Sequence, residues 1–225
     1  MRSAESLAAI ESEGRRLGLA VRRDPDRAVP QYPGWTLADL ASHTASILGR
    51  TTLICKELPT ERISAPTVPK GEDMLDWYDA TLDEMLAVLT EADPATPCWG
   101  FGPDPSVGFW EERMVIETGV HRWDAYQAFG EEDRLIDVVA RLGLDEFGDM
   151  WLPQLGDLQT LEVISTDLER TWVYGDGFPT AAVEGTASDL YLRLLSRTSP
   201  VVVPDDWAEA VDGLAPPPKP QQRAE

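Results

Sequence analysis

Residues 109–129 read FWEERMVIETGVHRWDAYQAF and predict a long helix with one distinctive face. Glu117 and His121 are four residues apart, so their side chains project from adjacent turns of that face. A carboxylate in an apolar stripe is costly to bury unless it is paired or bound to a ligand, which makes Glu117 a candidate functional residue. The other members of the face are apolar or small: Trp110, Met114, Ala125 and Ala128.

A second predicted helix carries the other histidine of the chain. The run Thr36–Asp39 has the pattern of a capping box, and it predicts a helix that continues to about Leu53 or beyond. His43 shares a face of this helix with Leu40 and Ile47. The sequence contains two histidines in total, and both therefore fall on core-facing sides of predicted helices.

These three side chains allow two interpretations. Two imidazoles and one carboxylate are what a catalytic zinc site takes from its protein, with the fourth position left for water or substrate. The same donors with more open positions suit iron, nickel or manganese. Alternatively, Glu117 and His121 form an ordinary ion pair one turn apart, and His43 is a core histidine. Spacing alone favours the ion pair, because Glu-x-x-x-His is a weak motif, whereas two histidines on facing stripes favour a metal centre.

The rest of the chain predicts an α+β protein. Four helices joined by long connections predict a bundle, and a fifth helix either packs on the bundle or bridges to the next part. The last third has strand-like composition and predicts a small α/β domain. Predicted helices span 3–19, 36–53, 71–92, 109–129, 134–150 and 188–197, with a short one from Asp206. Predicted strands span 158–164, 171–174, 181–184 and 201–203. The predicted domains are 1–150, 151–215 and a disordered tail at 216–225.

Composition narrows the classes of function. A net charge of −21 opposes binding to nucleic acids and to anionic membranes. We expect a cytoplasmic protein, because residues 1–20 predict an amphipathic helix and no apolar run reaches membrane-spanning length. Cys55 and Cys98 form no metal-binding pattern and are expected to be incidental thiols. Both a monomer and a homodimer remain compatible with the sequence.

Two motifs together resemble the mycothiol-dependent maleylpyruvate isomerase family of DinB-like metalloenzymes. They are VPQYPGWTLADLASH at residues 29–43 and ETGVHRWDA at residues 117–125. The resemblance covers nearly the whole chain. It implies a DinB-like four-helix bundle followed by a small C-terminal α/β domain similar to sterol carrier proteins.

The resemblance also assigns the site. It places His43, Glu117 and His121 on the family's metal-ligand positions, with zinc as the usual metal and mycothiol, the small thiol of actinobacteria, as co-substrate. An excess of Arg over Lys suits a GC-rich source of that kind. The family brings an arginine from the C-terminal domain to the active site, and Arg197 is the best match, as a catalytic or substrate-binding residue. An equal alternative is that Arg197 is a basic residue favoured at a helix C-terminus. Arg113 either binds a substrate carboxylate or lies on the surface.

The function that follows is mycothiol-dependent isomerisation of a small electrophile, or transfer of the thiol to it. Two other classes stay open: a non-catalytic metal or small-ligand binding protein on the same scaffold, and a metal-dependent hydrolase that needs no thiol. Beside the proposed ligands, Arg122 and Asp124 are expected to form a salt bridge with each other or to support the ligands.

Overall fold

The computed structural model describes part of the chain, and two compact units make up that part. The units comprise residues up to Asp133 and residues from Arg134 onwards. The predicted tail at 216–225 lies outside the described residues. The predicted domain limits near residues 150 and 215 stay predictions. The described residues are 4–69, 71, 73–101 and 105–214.

Four helices form the first unit, as the periodicity predicted. Helix α1 packs against α3 and α4, and α2 packs against the same two helices. Gly14 permits the close approach of α1 to α3, because a Cβ there would lie 2.9 Å from Leu82 Cδ2. Leu17, Leu48 and Met114 are fully buried in the unit. The helices are α1 Ala4–Arg23, α2 Leu37–Glu57, α3 Asp73–Glu91 and α4 Val107–Gln127.

The start of α2 follows the predicted capping box. The Thr36 hydroxyl accepts a hydrogen bond from Asp39 N at 3.2 Å, and the Asp39 carboxylate accepts one from Thr36 N at 3.0 Å. Helix α4 begins similarly, with Ser106 Oγ accepting from Phe109 N at 3.3 Å. Both helices that carry the candidate ligands therefore have starts fixed by side-chain caps.

The second unit combines four helical segments with a three-stranded sheet. Strand β1 lies in the middle, antiparallel to β2 and parallel to β3. Helix α5 packs against α6 so closely that a Cβ on Gly143 would lie 2.1 Å from a Tyr191 ring atom. The rings of Phe147, Tyr174 and Trp207 pack together in this unit. The elements are α5 Asp137–Met150, a short 3₁₀ turn Leu152–Gln154, β1 Leu161–Ser165, β2 Arg170–Tyr174, β3 Ala181–Gly185, α6 Ala187–Leu194 and α7 Asp205–Asp212.

One predicted strand of this unit is wrong, and one predicted helix is too long. Residues 201–203 form no strand: Val202 is 85% exposed, and the prolines at 200 and 204 remove two backbone donors from the ladder. The helix predicted at 188–197 ends at Leu194, because Ser196 has a left-handed φ of 59°. The similarity of this unit to sterol carrier proteins stays a prediction. Across the described part of the chain, no helix is both long and apolar enough to cross a membrane.

Candidate metal centre

Helices α2 and α4 bring together the three side chains that the sequence singled out. Glu117 Oε1 lies 3.3 Å from His43 Nε2 and 3.2 Å from His121 Nε2. One ligand atom from each residue falls within 4.8 Å of the others. Glu117 and His121 are buried, and the His43 side chain is 15% exposed. The facing stripes predicted from periodicity therefore meet at one point.

This arrangement fits a divalent ion. Zinc–ligand bonds of about 2.0–2.2 Å in tetrahedral geometry place neighbouring ligand atoms about 3.3 Å apart, which matches both contacts of Glu117 Oε1. That buried oxygen has no hydrogen-bond partner among the described residues. An unsatisfied buried carboxylate oxygen facing two imidazole nitrogens is the donor set of a three-ligand metal site.

Two further residues hold the candidate ligands in place. Arg113, one turn before Glu117, donates from Nη2 to Glu117 Oε2 at 2.8 Å and leaves Oε1 directed at the histidines. Asp124 is fully buried, and its Oδ2 lies 3.0 Å from His121 Nδ1. A carboxylate on Nδ1 keeps a proton there and presents Nε2 as the ligand atom. Asp124 thus contacts the candidate ligand His121, and Arg113 contacts the candidate ligand Glu117 and is not a surface residue.

Charge coupling holds the cluster in ionised form. Burial alone would raise the pKa of Glu117, but His121, His43 and Arg113 together lower it well below its usual range. Burial alone would lower the pKa of His121, but the Glu117 carboxylate and the contact with Asp124 raise it to about 9. These couplings favour an ionised Glu117 carboxylate, as a metal ligand must be, and binding of an ion would displace any proton from the Nε2 atom of His121.

Aromatic rings of the segment before α2 pack beside the histidines. Trp35 is buried, and its ring centroid lies 5.5 Å from that of His43. The ring of Tyr32 lies 6.0 Å from the ring of His121 and 4.9 Å from that of Trp35. Tyr32 and Trp35 thus form an apolar wall beside the centre.

Sequence reasoning missed Arg50. It lies two turns after His43 on α2, and its guanidinium carbon is 6.0 Å from the ring of Trp99 and 5.9 Å from the ring of Trp110. The available signal was helical spacing, because Arg50 continues the face that contains His43 and Ile47.

Arg197 belongs to the second unit, so its predicted catalytic or substrate-binding role stays a prediction. It lies beyond the end of α6, and its Nη1 donates to the carbonyl oxygen of Leu195 at 3.1 Å. This contact agrees with the alternative interpretation of Arg197, a basic side chain favoured at the C-terminus of a helix. The cysteines at 55 and 98 are both free and buried, and Cys55 lies within α2.

The fold and the cluster together define a helical-bundle protein with a buried histidine–glutamate centre and a small sheet-containing unit. The chain belongs to the mycothiol maleylpyruvate isomerase family, because the sequence model of that family's N-terminal domain matches residues 7–126 of the 225. The resemblance found in the two motifs is thereby confirmed.

Two solved structures share the fold. One is a histidine-to-alanine mutant of the mycothiol-dependent maleylpyruvate isomerase, with 13% identity and a TM-score of 0.70. The other is the mycothiol-dependent maleylpyruvate isomerase itself, with 12% identity and a TM-score of 0.68. Each alignment covers 99% of this chain and 98% of the solved chain. At this identity the similarity shows the fold alone. No curated protein matches the chain.

Proposed function

We propose that this chain is a metal-dependent enzyme that uses mycothiol to isomerise a small electrophile or to conjugate the thiol to it. The observation that carries the proposal is Glu117 Oε1, a buried oxygen with no hydrogen-bond partner among the described residues, facing both histidine Nε2 atoms. Family membership supplies mycothiol as the thiol and maleylpyruvate as the model substrate.

The proposed ligands are His43 Nε2, Glu117 Oε1 and His121 Nε2, with zinc as the metal. Two nitrogens and one carboxylate oxygen are typical of catalytic zinc, which keeps a fourth position for an exogenous ligand. Once bound, a divalent ion supplies a Lewis acid that lowers the pKa of a coordinated thiol from about 8.5, so that it is ionised at neutral pH.

The residues of the chain position the ligands and exclude water. Asp124 orients His121 through Nδ1, and Arg113 orients Glu117 through Oε2. The rings of Tyr32 and Trp35 cover one side of the histidines and lower the local polarity, which strengthens each electrostatic contact there.

The two reactions differ only after the first bond forms. The thiol sulfur adds to an electrophilic carbon of a cis double bond, and the π electrons move to the conjugated carbonyl. In an isomerase the new single bond rotates, the electrons return and the thiol leaves, which restores the double bond in trans form. In an S-transferase the sulfur stays on the product. The pocket for the electrophile decides between them.

Elemental analysis tests the metal. We expect about one zinc per wild-type chain, as a three-ligand site requires. His43→Ala, Glu117→Ala and His121→Ala should each lower the zinc content. Glu84→Ala is the matched control, because Glu84 is exposed and pairs with Lys56 on the surface. Full zinc content in both histidine variants would refute the assignment.

Thermal-shift and turnover assays test the thiol. Mycothiol should raise the melting temperature of the zinc-loaded protein and not of the metal-free protein. Loss of maleylpyruvate, or of the model electrophile monochlorobimane, should require both zinc and mycothiol. Zinc-dependent hydrolysis without thiol would favour the hydrolase alternative, and zinc binding without turnover of either electrophile would favour the non-catalytic one.

A further inference from the structure

Strand β2 lies at one edge of the three-stranded sheet, because the order β2-β1-β3 gives it a single neighbour. Its register with β1 runs without a bulge from Arg170 to Tyr174. An edge strand directs about half of its backbone N–H and C=O groups away from its sheet. In the described part of the chain, the backbone of this strand forms hydrogen bonds with β1 and with no other segment. The outer edge of β2 is therefore open to a further strand.

The two edges of the sheet differ in composition. Strand β2 reads Arg-Thr-Trp-Val-Tyr, and all but the arginine are β-branched or aromatic types that favour strands. It contains no proline and no lysine, which are common on edges that resist pairing. Strand β3, at the other edge, reads Ala-Ala-Val-Glu-Gly, with poor strand formers and the exposed charge of Glu184. Composition thus favours the addition of a strand at β2.

Apolar side chains are exposed beside the β2 edge. Successive side chains of a strand point to opposite faces of its sheet. Trp172 and Tyr174 are buried, whereas Thr171 and Val173 point to the other face and are exposed, Val173 by 50%. Phe178, in the loop that follows β2, is 93% exposed, the highest value among the large apolar side chains that the structure describes. A strand added to β2 would cover Val173.

Charge indicates a second copy of this chain as the partner. Two copies with a net charge of −21 repel each other. Strand β2 is locally neutral, because Arg170 is its one charged residue and pairs with Asp145 of α5. If two β2 strands pair antiparallel about a two-fold axis at Trp172, Thr171 of each copy faces Val173 of the other. No like charges are then opposite each other, so the strand is self-complementary.

We propose that β2 pairs antiparallel with β2 of a second copy of this chain, so that two three-stranded sheets join into one sheet of six strands. Backbone hydrogen bonds between the two edges supply the attraction, and the contacts of Thr171 with Val173 set the register. Pairing through one short strand covers less surface than the roughly 1,600 Å² of a standard interface. The dimer is therefore reversible and depends on protein concentration. The proposal is independent of the metal centre and of the reaction proposed for it.

Sedimentation velocity on the full chain tests the proposal over a micromolar to submillimolar range of concentrations. The weight-average mass of the wild type should rise from that of one chain towards that of two. A Thr171→Lys, Val173→Lys double variant places lysines opposite lysines of the second copy, and like charges opposite each other are destabilising. Its dimer dissociation constant should rise at least about tenfold. Ala182→Lys is the matched control, because Ala182 is an exposed residue of β3, the other edge.

A second double variant tests the register. Thr171→Glu with Val173→Lys places a glutamate opposite a lysine of the second copy, so it should dimerise at least as tightly as the wild type. A wild type that stays a single chain throughout the concentration range would overturn the proposal. Wild-type dimerisation by the double-lysine variant, equal weakening by both double variants, or loss of the dimer in Ala182→Lys would also overturn it.

Cross-linking gives a measurement that does not depend on the folding of the lysine variant. In the proposed pairing, a Thr171→Cys, Val173→Cys double variant brings each new thiol opposite one of the second copy. The oxidant diamide accepts the two electrons and two protons of each thiol pair, and a covalent dimer should appear on a denaturing gel. Ala182→Cys with Glu184→Cys on β3 is the control and should stay a single chain. No covalent dimer from the β2 variant, or equal amounts from both variants, would overturn the proposal.

Discussion

Helix α4 carries two buried polar clusters, and they handle charge in opposite ways. Around Arg122, the guanidinium donates from Nε to Glu13 at 2.6 Å and pairs with Asp133, so that each charge meets its opposite. Around Glu117, one oxygen is held by Arg113 while the other faces two imidazole nitrogens without a hydrogen bond from the described residues. Arg122 and Glu117 are both at least nine-tenths buried.

The difference separates a role in folding from a role in function. A buried ion network whose members are satisfied is explained by the fold that contains it. A buried carboxylate oxygen that makes no hydrogen bond in the described structure and faces two imidazole nitrogens is a candidate for binding an ion. Five residues along one helix separate the two cases, so burial and charge alone do not distinguish them. The two clusters differ in whether their buried polar atoms make hydrogen bonds.

The largest expected effect concerns the satisfied cluster. Arg122→Met leaves Glu13 buried with only Arg16, a partly exposed partner, beside it. The free energy of unfolding of the metal-free protein should fall by about 3–5 kcal/mol, the usual cost of breaking a buried ion pair from one side. Urea denaturation measures the change. Arg15→Met removes an exposed ion pair and should cost at most about 1 kcal/mol. Equal costs for both variants would contradict the assignment of Arg122 to folding.

The next effect concerns the unsatisfied cluster. His43→Ala should leave the metal-free protein folded but abolish its stabilisation by zinc. For the wild type that stabilisation is about 2.7 kcal/mol when free zinc is 100 times the dissociation constant. Urea denaturation with and without zinc measures the increment. Arg122→Met should keep the full increment despite its lower stability, and a zinc increment that survives in His43→Ala would remove the distinction between the clusters.

A smaller effect is expected at the residue that supports His121. Asp124→Asn replaces the carboxylate beside His121 Nδ1 with an amide. The NH2 group of that amide can then face the ring in place of an acceptor oxygen. Zinc affinity should fall by about 10–100-fold, as for other residues that orient a metal-binding histidine. Competition with a fluorescent zinc chelator measures it, with Asp83→Asn on the surface of α3 as control. An unchanged affinity would show that the ring is oriented by packing alone.

The sequence predicted those features of the centre that depend on local periodicity. The capping box at Thr36 and the four-residue spacing of Glu117 and His121 are local patterns, and both appear as predicted. The meeting of His43 with this pair followed from two core-facing stripes in one bundle, because such stripes must pack against each other.

What the sequence did not predict depends on contacts between distant residues. Glu13, the partner of Arg122, lies 109 residues away in the chain, and packing of α1 on α4 selects it. Valines at 201–203 have the composition of a strand, but a strand also needs a partner with free backbone groups, and none pairs with them in the described structure. The surroundings of Arg50 likewise combine α2 with aromatic residues some 50 and 60 positions later.

The last prediction expects no effect, and it concerns the two thiols of the chain. Burial, followed by the nearby Cys98 and Glu111, raises the pKa of Cys55 to about 12, and burial also raises the pKa of Cys98. Only the thiolate is nucleophilic, so both pKa shifts disfavour these side chains as the nucleophile at neutral pH. A Cys55→Ser, Cys98→Ser double variant should therefore keep its zinc and its mycothiol-dependent turnover of maleylpyruvate. Neither wild-type cysteine should react with iodoacetamide at pH 8 in the folded protein. Loss of turnover by a folded, zinc-loaded double variant would mean that the nucleophile belongs to the chain, and the unsatisfied cluster would then activate a protein thiol instead of a small one.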